Sequence, residues 1–166
     1  MEHRYNILFV CLGNICRSSA AEEVLRVKLK QAGMDNMVEV DSAGLIDYHE
    51  GELSDSRMRQ HASRRGYTLT HRSRPIQRKD YEYFDLIIGM DDQNIQRLRH
   101  GARNDSELGK IHKMTEYFID KESDIVPDPY YGGSSGFELV LDLLEDGCDG
   151  IIQKLQSEIR QPQAPE

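Results

Sequence analysis

Four consecutive apolar residues, Ile7-Leu8-Phe9-Val10, run straight into Cys11-Leu12-Gly13-Asn14-Ile15-Cys16-Arg17 and then into Ser18-Ser19-Ala20-Ala21. An apolar run of that length suits a buried strand and is too short for a helix. Gly13 and Asn14 both tolerate left-handed backbone, so the segment from Cys11 to Arg17 reads as a tight loop. Ala21, Val24, Leu25, Lys28, Leu29 and Ala32 then keep helical spacing until Gly33, with Ser18 or Ser19 expected as the helix cap. A strand that passes through a tight loop into a helix is the first half of a βαβ unit, and such units build parallel sheets.

The rest of the chain repeats the alternation. Met37 to Val40 is a second strand, closed by Asp41-Ser42-Ala43-Gly44, and a helix is expected from about Asp55 to Arg65, ended by Gly66. Phe84 to Met90 is a third strand, after which Asp91-Asp92 open a helix of about two turns through Leu98. Lys110 to Met114 makes a weaker fourth strand. Val126 to Gly133 holds two prolines and two glycines and cannot be regular. Phe137, Val140, Leu141, Leu144, Cys148, Ile151, Ile152, Leu155 and Ile159 mark a long final helix. The expected fold class is therefore α/β with a parallel sheet. At 166 residues the chain is expected to form a single domain over 1–160, with 161–166 as a flexible tail.

Composition narrows the setting. Three cysteines make no even-numbered disulfide framework, which suits a reduced, cytoplasmic location. The apolar run near the N-terminus is too short for a signal peptide, and none approaches the ~20 residues that span a bilayer. A net charge of −8 argues against nucleic-acid binding through bulk charge. The charge is uneven, however. Between Arg57 and Lys79 stand eight Lys or Arg and no acid, and this stretch reads either as a solvated basic face or as a dock for an anionic partner.

The loop at Cys11 concentrates groups that favour negative charge. Loop N–H groups form an anion nest, a helix N-terminus adds further donors, and the Arg17 guanidinium matches two phosphoryl oxygens. Such surroundings also stabilise a thiolate, so Cys11 is expected to be a nucleophile. Ser18 could donate a hydrogen bond to its sulfur. Thiolate attack on a phosphate ester needs an acid for the departing oxygen. Asp128, fixed between Pro127 and Pro129, is the candidate, and Tyr130 and Tyr131 would offer an aromatic wall for an aryl leaving group.

Taken together, Cys-x5-Arg-Ser near the N-terminus, Asp41-Ser42-Ala43-Gly44, Met90-Asp91 and Asp128-Pro129-Tyr130-Tyr131-Gly132 resemble the low-molecular-weight protein tyrosine phosphatases in order and spacing. The resemblance runs from Ile7 to about Leu155. It implies a four-stranded parallel sheet with helices on both faces, a phosphate-binding loop after the first strand, no metal and no cofactor. By the same likeness Cys11 is the nucleophile, Arg17 the phosphate-binding arginine and Asp128 the general acid and later base. Leu12, Gly13, Asn14, Ile15, Cys16, Arg17 and Ser18 would surround the phosphate, with Asn14 holding the turn and Ser42 and His71 supporting it. Leu12, Ile15, Tyr48, Tyr130 and Tyr131 would border the substrate crevice, and Cys16 would either be a redox guard for Cys11 or simply fill the loop. Substrates would be phosphotyrosine-containing proteins, with no membrane or nucleic-acid partner. Ser19 departs from the family, where proline is common, and so do Leu45-Ile46-Asp47 and Leu53. Cys148 reads as core, and His3, His49, His61, His100 and His112 as surface or packing residues.

Two alternatives share the fold. A protein arginine phosphatase resembles this loop but carries threonine where Ile15 stands, and Ile15 would crowd a branched phosphoguanidine. An arsenate reductase needs relay cysteines, and none lies between Cys16 and Cys148. An inactive phosphotyrosine-binding module is also conceivable, but it would be expected to lack Cys11, Arg17 or Asp128.

Overall fold

The computed structural model describes residues 4–129 and 133–160. Its elements follow in the order β1 (Tyr5–Cys11), α1 (Arg17–Gln31), β2 (Val38–Gly44), α2 (Ser56–Ser63), α3 (Arg78–Tyr83), β3 (Leu86–Gly89), α4 (Asp92–Gly101), α5 (Asp105–Leu108), β4 (Ile111–Lys113), a 3₁₀ turn (Met114–Tyr117) and α6 (Ser134–Arg160). The four strands form one sheet, ordered β2-β1-β3-β4, and every pairing is parallel.

β1 lies inside the sheet, and its alternating side chains divide the core. Ile7 and Phe9 join a cluster with Leu25 of α1 and Leu141 and Leu144 of α6. Leu8 and Val10 point the other way, to Tyr81, Phe84 and Leu98 beside α3 and α4. Both faces are therefore buried, which is why β1 reads as an unbroken apolar run rather than an alternation. The expected α/β fold, with helices on both faces of a four-stranded parallel sheet, is what the chain forms.

Several boundaries differ from the sequence reading. β2 does not stop at Val40 but continues through Gly44, paired Cys11 to Gly44. Polar Asp41 and Ser42 hid this extension: Ser42 is buried against Glu22 and Asn14, and Asp41, though partly exposed, is held by Arg74. Neither Ser18 nor Ser19 caps α1. The cap position is Cys16, with no side-chain cap bond, and both serines lie within the first turn. α4 runs to Gly101, a turn beyond Leu98. α2 begins one residue late because Asp55 is its cap, accepting from the Arg57 and Met58 amides. Residues 126–128 are irregular, as expected beside two prolines.

Against α6 the 3₁₀ turn packs at van der Waals limits. A methyl at Gly150 would stand 1.7 Å from the Tyr117 carbonyl oxygen, and one at Gly147 2.5 Å from Met114 Cε. Among the described residues no helix is long and apolar enough to cross a membrane.

Strand order positions the site. From β1 the chain moves to one side for β2, then crosses to the other for β3. The carboxyl ends of β1 and β3 thus flank the point where connections diverge, where open parallel sheets hold ligands.

Candidate active site

A cleft of about 320 Å³ opens at that point. Its floor is the loop after β1, and Arg17 and Asp128 reach it from the side. The loop's carbonyls are turned outward and bonded. The Cys11 oxygen accepts from Leu45 N, Leu12 from Leu45 N and Ile46 N, Ile15 from Asp55 N, and Gly13 from the Ser73 hydroxyl. By contrast, no backbone N–H of residues 12–16 meets an acceptor among the described residues. Five N–H donors that the fold leaves without a protein partner, in one tight loop, are the makings of an anion nest. Gly44 permits the close approach of β2 to this loop, since a methyl there would lie 3.1 Å from the Gly13 carbonyl carbon.

Asn14 holds the turn. It is the one described non-glycine residue with positive φ, at 59°. Its Oδ1 accepts from the Arg74 backbone N at 3.1 Å and from His71 Nε2 at 2.8 Å. An amide N–H can only donate, so the orientation of the Asn14 side chain is fixed. Its Nδ2 must then donate, to Ser18 Oγ at 2.8 Å and Ser42 Oγ at 3.0 Å. Ser42 passes its own hydrogen onward to Glu22 Oε1 at 2.7 Å, and Ser18 faces Cys11 Sγ at 3.0 Å with its hydroxyl hydrogen still to give.

Glu22, Asp41 and His71 cluster behind the loop, their ligand atoms all within 4.8 Å of one another. That donor set could suit a divalent cation. It is already satisfied without one: His71 Nδ1 lies 3.1 Å from Glu22, and Arg74 and Arg26 pair with Asp41 and Glu22 at 3.0 and 2.9 Å. Burial pushes the Glu22 carboxyl up, but the bonds from His71 and Ser42 and the charges of His71 and Arg26 outweigh it. The carboxyl lies below its ordinary range.

Arg17 is only 3% exposed along its side chain. Its NH1 donates to Asp91 Oδ2 at 2.6 Å and to the Val126 carbonyl at 3.0 Å, while NH2 lies 3.7 Å from Asp128 Oδ2. Burial works against the guanidinium's charge, but the Cys11 sulfur and Asp91 more than compensate, so its pKa stands above the ordinary value. Val126 N donates to the Met90 carbonyl at 2.8 Å, which anchors the Asp128 segment to the end of β3. Asp128 itself is 35% exposed, at the rim.

The structure thus brings together Cys11, Leu12, Gly13, Ile15, Cys16, Arg17, Tyr48 and Asp128 at one cleft, with Asn14, Ser18, Ser42 and His71 behind it. Tyr48 is 79% exposed. Tyr130 and Tyr131 lie outside the described residues, as does the 161–166 tail. Cys148 is buried in the core against α1, and burial pushes its thiol up.

Sequence reasoning missed three contributors. Asp91, a helix opener and part of the Met90-Asp91 motif by sequence, also holds the Arg17 guanidinium. Glu22 stands on α1 with no local signal of its role. His49, expected as a surface or packing residue, lines the cleft and stands edge-on to Tyr48 at 4.8 Å between ring centroids.

A family profile described as low molecular weight phosphotyrosine protein phosphatase matches residues 6–161. A low molecular weight protein-tyrosine-phosphatase of Streptomyces coelicolor is 36% identical over 158 residues, covering 93% of this chain and 96% of its own. The crystal structure of a protein tyrosine phosphatase from Entamoeba histolytica, with Hepes in its active site, superposes with a TM-score of 0.90. It is 42% identical, and the match covers 93% of this chain and 99% of that one. A Drosophila arginine phosphatase also matches, at 32% identity and TM-score 0.85, over 92% and 98% of the two chains. With a profile spanning nearly its whole length and relatives this similar, the chain belongs to the low molecular weight phosphotyrosine protein phosphatase family.

Proposed function

We propose that the chain hydrolyses phosphotyrosine monoesters in proteins through a phosphocysteine intermediate. The observation that carries this reading is the set of loop N–H groups of residues 12–16, without a partner among the described residues, beside the Cys11 sulfur 3.0 Å from the Ser18 hydroxyl. Those donors and the Arg17 fork suit the three non-bridging oxygens of a phosphoryl group. Cys11 attacks phosphorus, the S–P bond forms and the P–O bond to tyrosine breaks, with Asp128 giving its proton to the tyrosyl oxygen. Asp128 then takes a proton from water, which attacks the phosphocysteine, and phosphate leaves with the thiolate restored. Positioning and charge stabilisation supply most of the rate, and no step calls for a metal.

Arginine phosphatase is the second reading, favoured by the match to the Drosophila enzyme. Against it, Ile15 lines the cleft, where a branched phosphoguanidine would need room. Cys16 borders the same cleft, and burial pushes its thiol up, so it stands protonated at neutral pH. In our reading peroxide oxidises the Cys11 sulfur to sulfenic acid and leaves as water, and the Cys16 thiol then condenses with the sulfenic acid, releasing a second water and leaving a disulfide.

Phosphate release from phosphotyrosine and phosphoarginine peptides, in chelator, with wild type and Cys11→Ser, tests the assignment. Release from phosphotyrosine that vanishes in the variant is expected. Preference for phosphoarginine would keep the nucleophile but overturn the substrate. Release unaffected by Cys11→Ser would overturn the mechanism.

A further inference from the structure

Six of the eight bases from Arg57 to Lys79 sort into two groups once their partners are followed; the other two, Arg64 and Lys79, are exposed and line neither the cleft nor the groove beside it. Arg57 pairs with Asp55 at 3.1 Å and lies over the Phe137 ring. Arg65 meets Glu138, Asp142 and Glu145 at 2.7, 2.9 and 2.5 Å. Arg74 is held by Asp41 and Asp80, both at 3.0 Å, and Arg78 by Glu107. These four clamp the fold together. Arg59 and Arg72 are different. Both are exposed, and neither makes an ion pair among the described residues. Each is instead pinned by one neutral acceptor: Arg59 Nε donates to the Ser54 carbonyl at 2.9 Å, and Arg72 NH1 to the Gly51 carbonyl at 2.9 Å.

A carbonyl fixes a guanidinium without cancelling its charge, and it leaves most of the five N–H donors free. Both arginines line one groove of about 420 Å³. That groove shares Ile15 and His49 with the catalytic cleft, so the two cavities adjoin. Its own acids are engaged locally. Glu52 bonds His49 Nδ1 at 3.0 Å, and Asp55 caps α2 and pairs with Arg57.

We propose that this groove is a specificity subsite in which Arg59 and Arg72 take a carboxylate side chain flanking the phosphotyrosine of the substrate. The inference rests on the phosphotyrosine reading above. An extended chain advances about 3.3–3.6 Å per residue, so a groove adjoining the cleft receives a residue within a few positions of the phosphotyrosine. The pinned guanidiniums are already ordered before the peptide arrives, which reduces the entropy lost on binding.

Rates separate the possibilities. Phosphotyrosine peptides with Asp and Glu flanks are compared with the same peptides carrying Asn and Gln, for wild type and for Arg59→Gln/Arg72→Gln. p-Nitrophenyl phosphate, which has no flank, reports the reaction centre in each protein. Wild type is expected to favour the acidic peptide by about 2–30-fold in kcat/KM at low salt, the range two exposed ion pairs supply. That ratio should shrink in 0.5 M salt and approach one in the double variant. Equal rates on both peptides in wild type, with p-nitrophenyl phosphate still cleaved, would overturn the subsite and leave the phosphatase reading standing. A preference that survives in the double variant would overturn it too. Failure to cleave p-nitrophenyl phosphate and every peptide would instead refute the phosphatase reading on which the subsite rests. Should the double variant fail to fold, the wild-type ratio and its salt dependence still decide.

Discussion

Asn14 offers a stringent test of how the loop is held, because two costs meet in one side chain and can be separated. Its side chain makes four hydrogen bonds, to Arg74 N, His71, Ser18 and Ser42, and its φ is 59°. At roughly 0.5–1.5 kcal/mol each, losing the four removes about 2–6 kcal/mol in Asn14→Ala. Alanine in left-handed backbone adds about 1–2 kcal/mol. The sum is a large part of the ~5–15 kcal/mol that stabilises a domain. Asn14→Gly loses the same bonds but carries no left-handed penalty. Offset by the greater freedom of unfolded glycine, it should be more stable than the alanine variant by roughly 0.5–1 kcal/mol. Both should lose about 100-fold in kcat/KM on p-nitrophenyl phosphate, because the nucleophile and donors are misplaced. Urea unfolding followed by far-UV circular dichroism suits a chain without tryptophan. An alanine variant within 1 kcal/mol of wild type, or as active as wild type within threefold, or more stable than the glycine variant, would refute this account of the turn.

Other expectations follow from neighbouring contacts. Asp91→Asn keeps the α4 cap, since asparagine caps as well as aspartate, but removes the charge beside Arg17; kcat/KM should fall about tenfold, and an unchanged value would show that Asp91 does not position the guanidinium. Glu22 has a folded pKa below its ordinary value, so the stability it contributes is complete above about pH 4.5 and is lost as pH falls through the lower folded value. The stability gap between wild type and Glu22→Gln, measured by urea unfolding from pH 7 to 3, should therefore narrow below about 4.5; a gap independent of pH would contradict the ion pair with His71. Gly150→Ala should lower the melting temperature, although alanine inside a helix ordinarily stabilises by about 1 kcal/mol, because its methyl would meet the Tyr117 carbonyl; a rise would show that the 3₁₀ turn can move away. Mild peroxide should inactivate the enzyme and thiol restore it, whereas Cys16→Ser should stay inactive after the same cycle; full recovery of that variant would remove Cys16 from the protective role.

What could be read from the residues, and what could not, follows from how far apart the interacting groups lie. β1, the loop and α1 were legible because a short apolar run, Gly13 and Asn14, and a helical period are all local signals. α3 was not, since Arg78–Tyr83 is too short to show a period and Asp80 and Tyr81 mix polar and apolar burial. The end of β2 was misjudged for a related reason: Asp41 and Ser42 look like a turn until Arg74, His71 and Glu22 are seen around them. Cys11, Arg17 and Asp128 came from motif and likeness, and the cleft brings them together. Asp91 lies 74 positions from the arginine it holds, and nothing in its own neighbourhood announces that pairing. The basic stretch was visible as composition, yet only contacts divide its structural arginines from Arg59 and Arg72.

The one-way run of donors through Asn14 also bears on how the enzyme matures. Its partners come from α1, β2 and the segment at His71 to Arg74, so the run closes contacts of 28, 57 and 60 positions in sequence. Contacts that distant form late, after helices and nearby strands have appeared. Catalytic competence is therefore a readout of long-range assembly, and on dilution from urea it should return no faster than helical signal; activity that led the helical signal would show that the loop is set by local contacts alone.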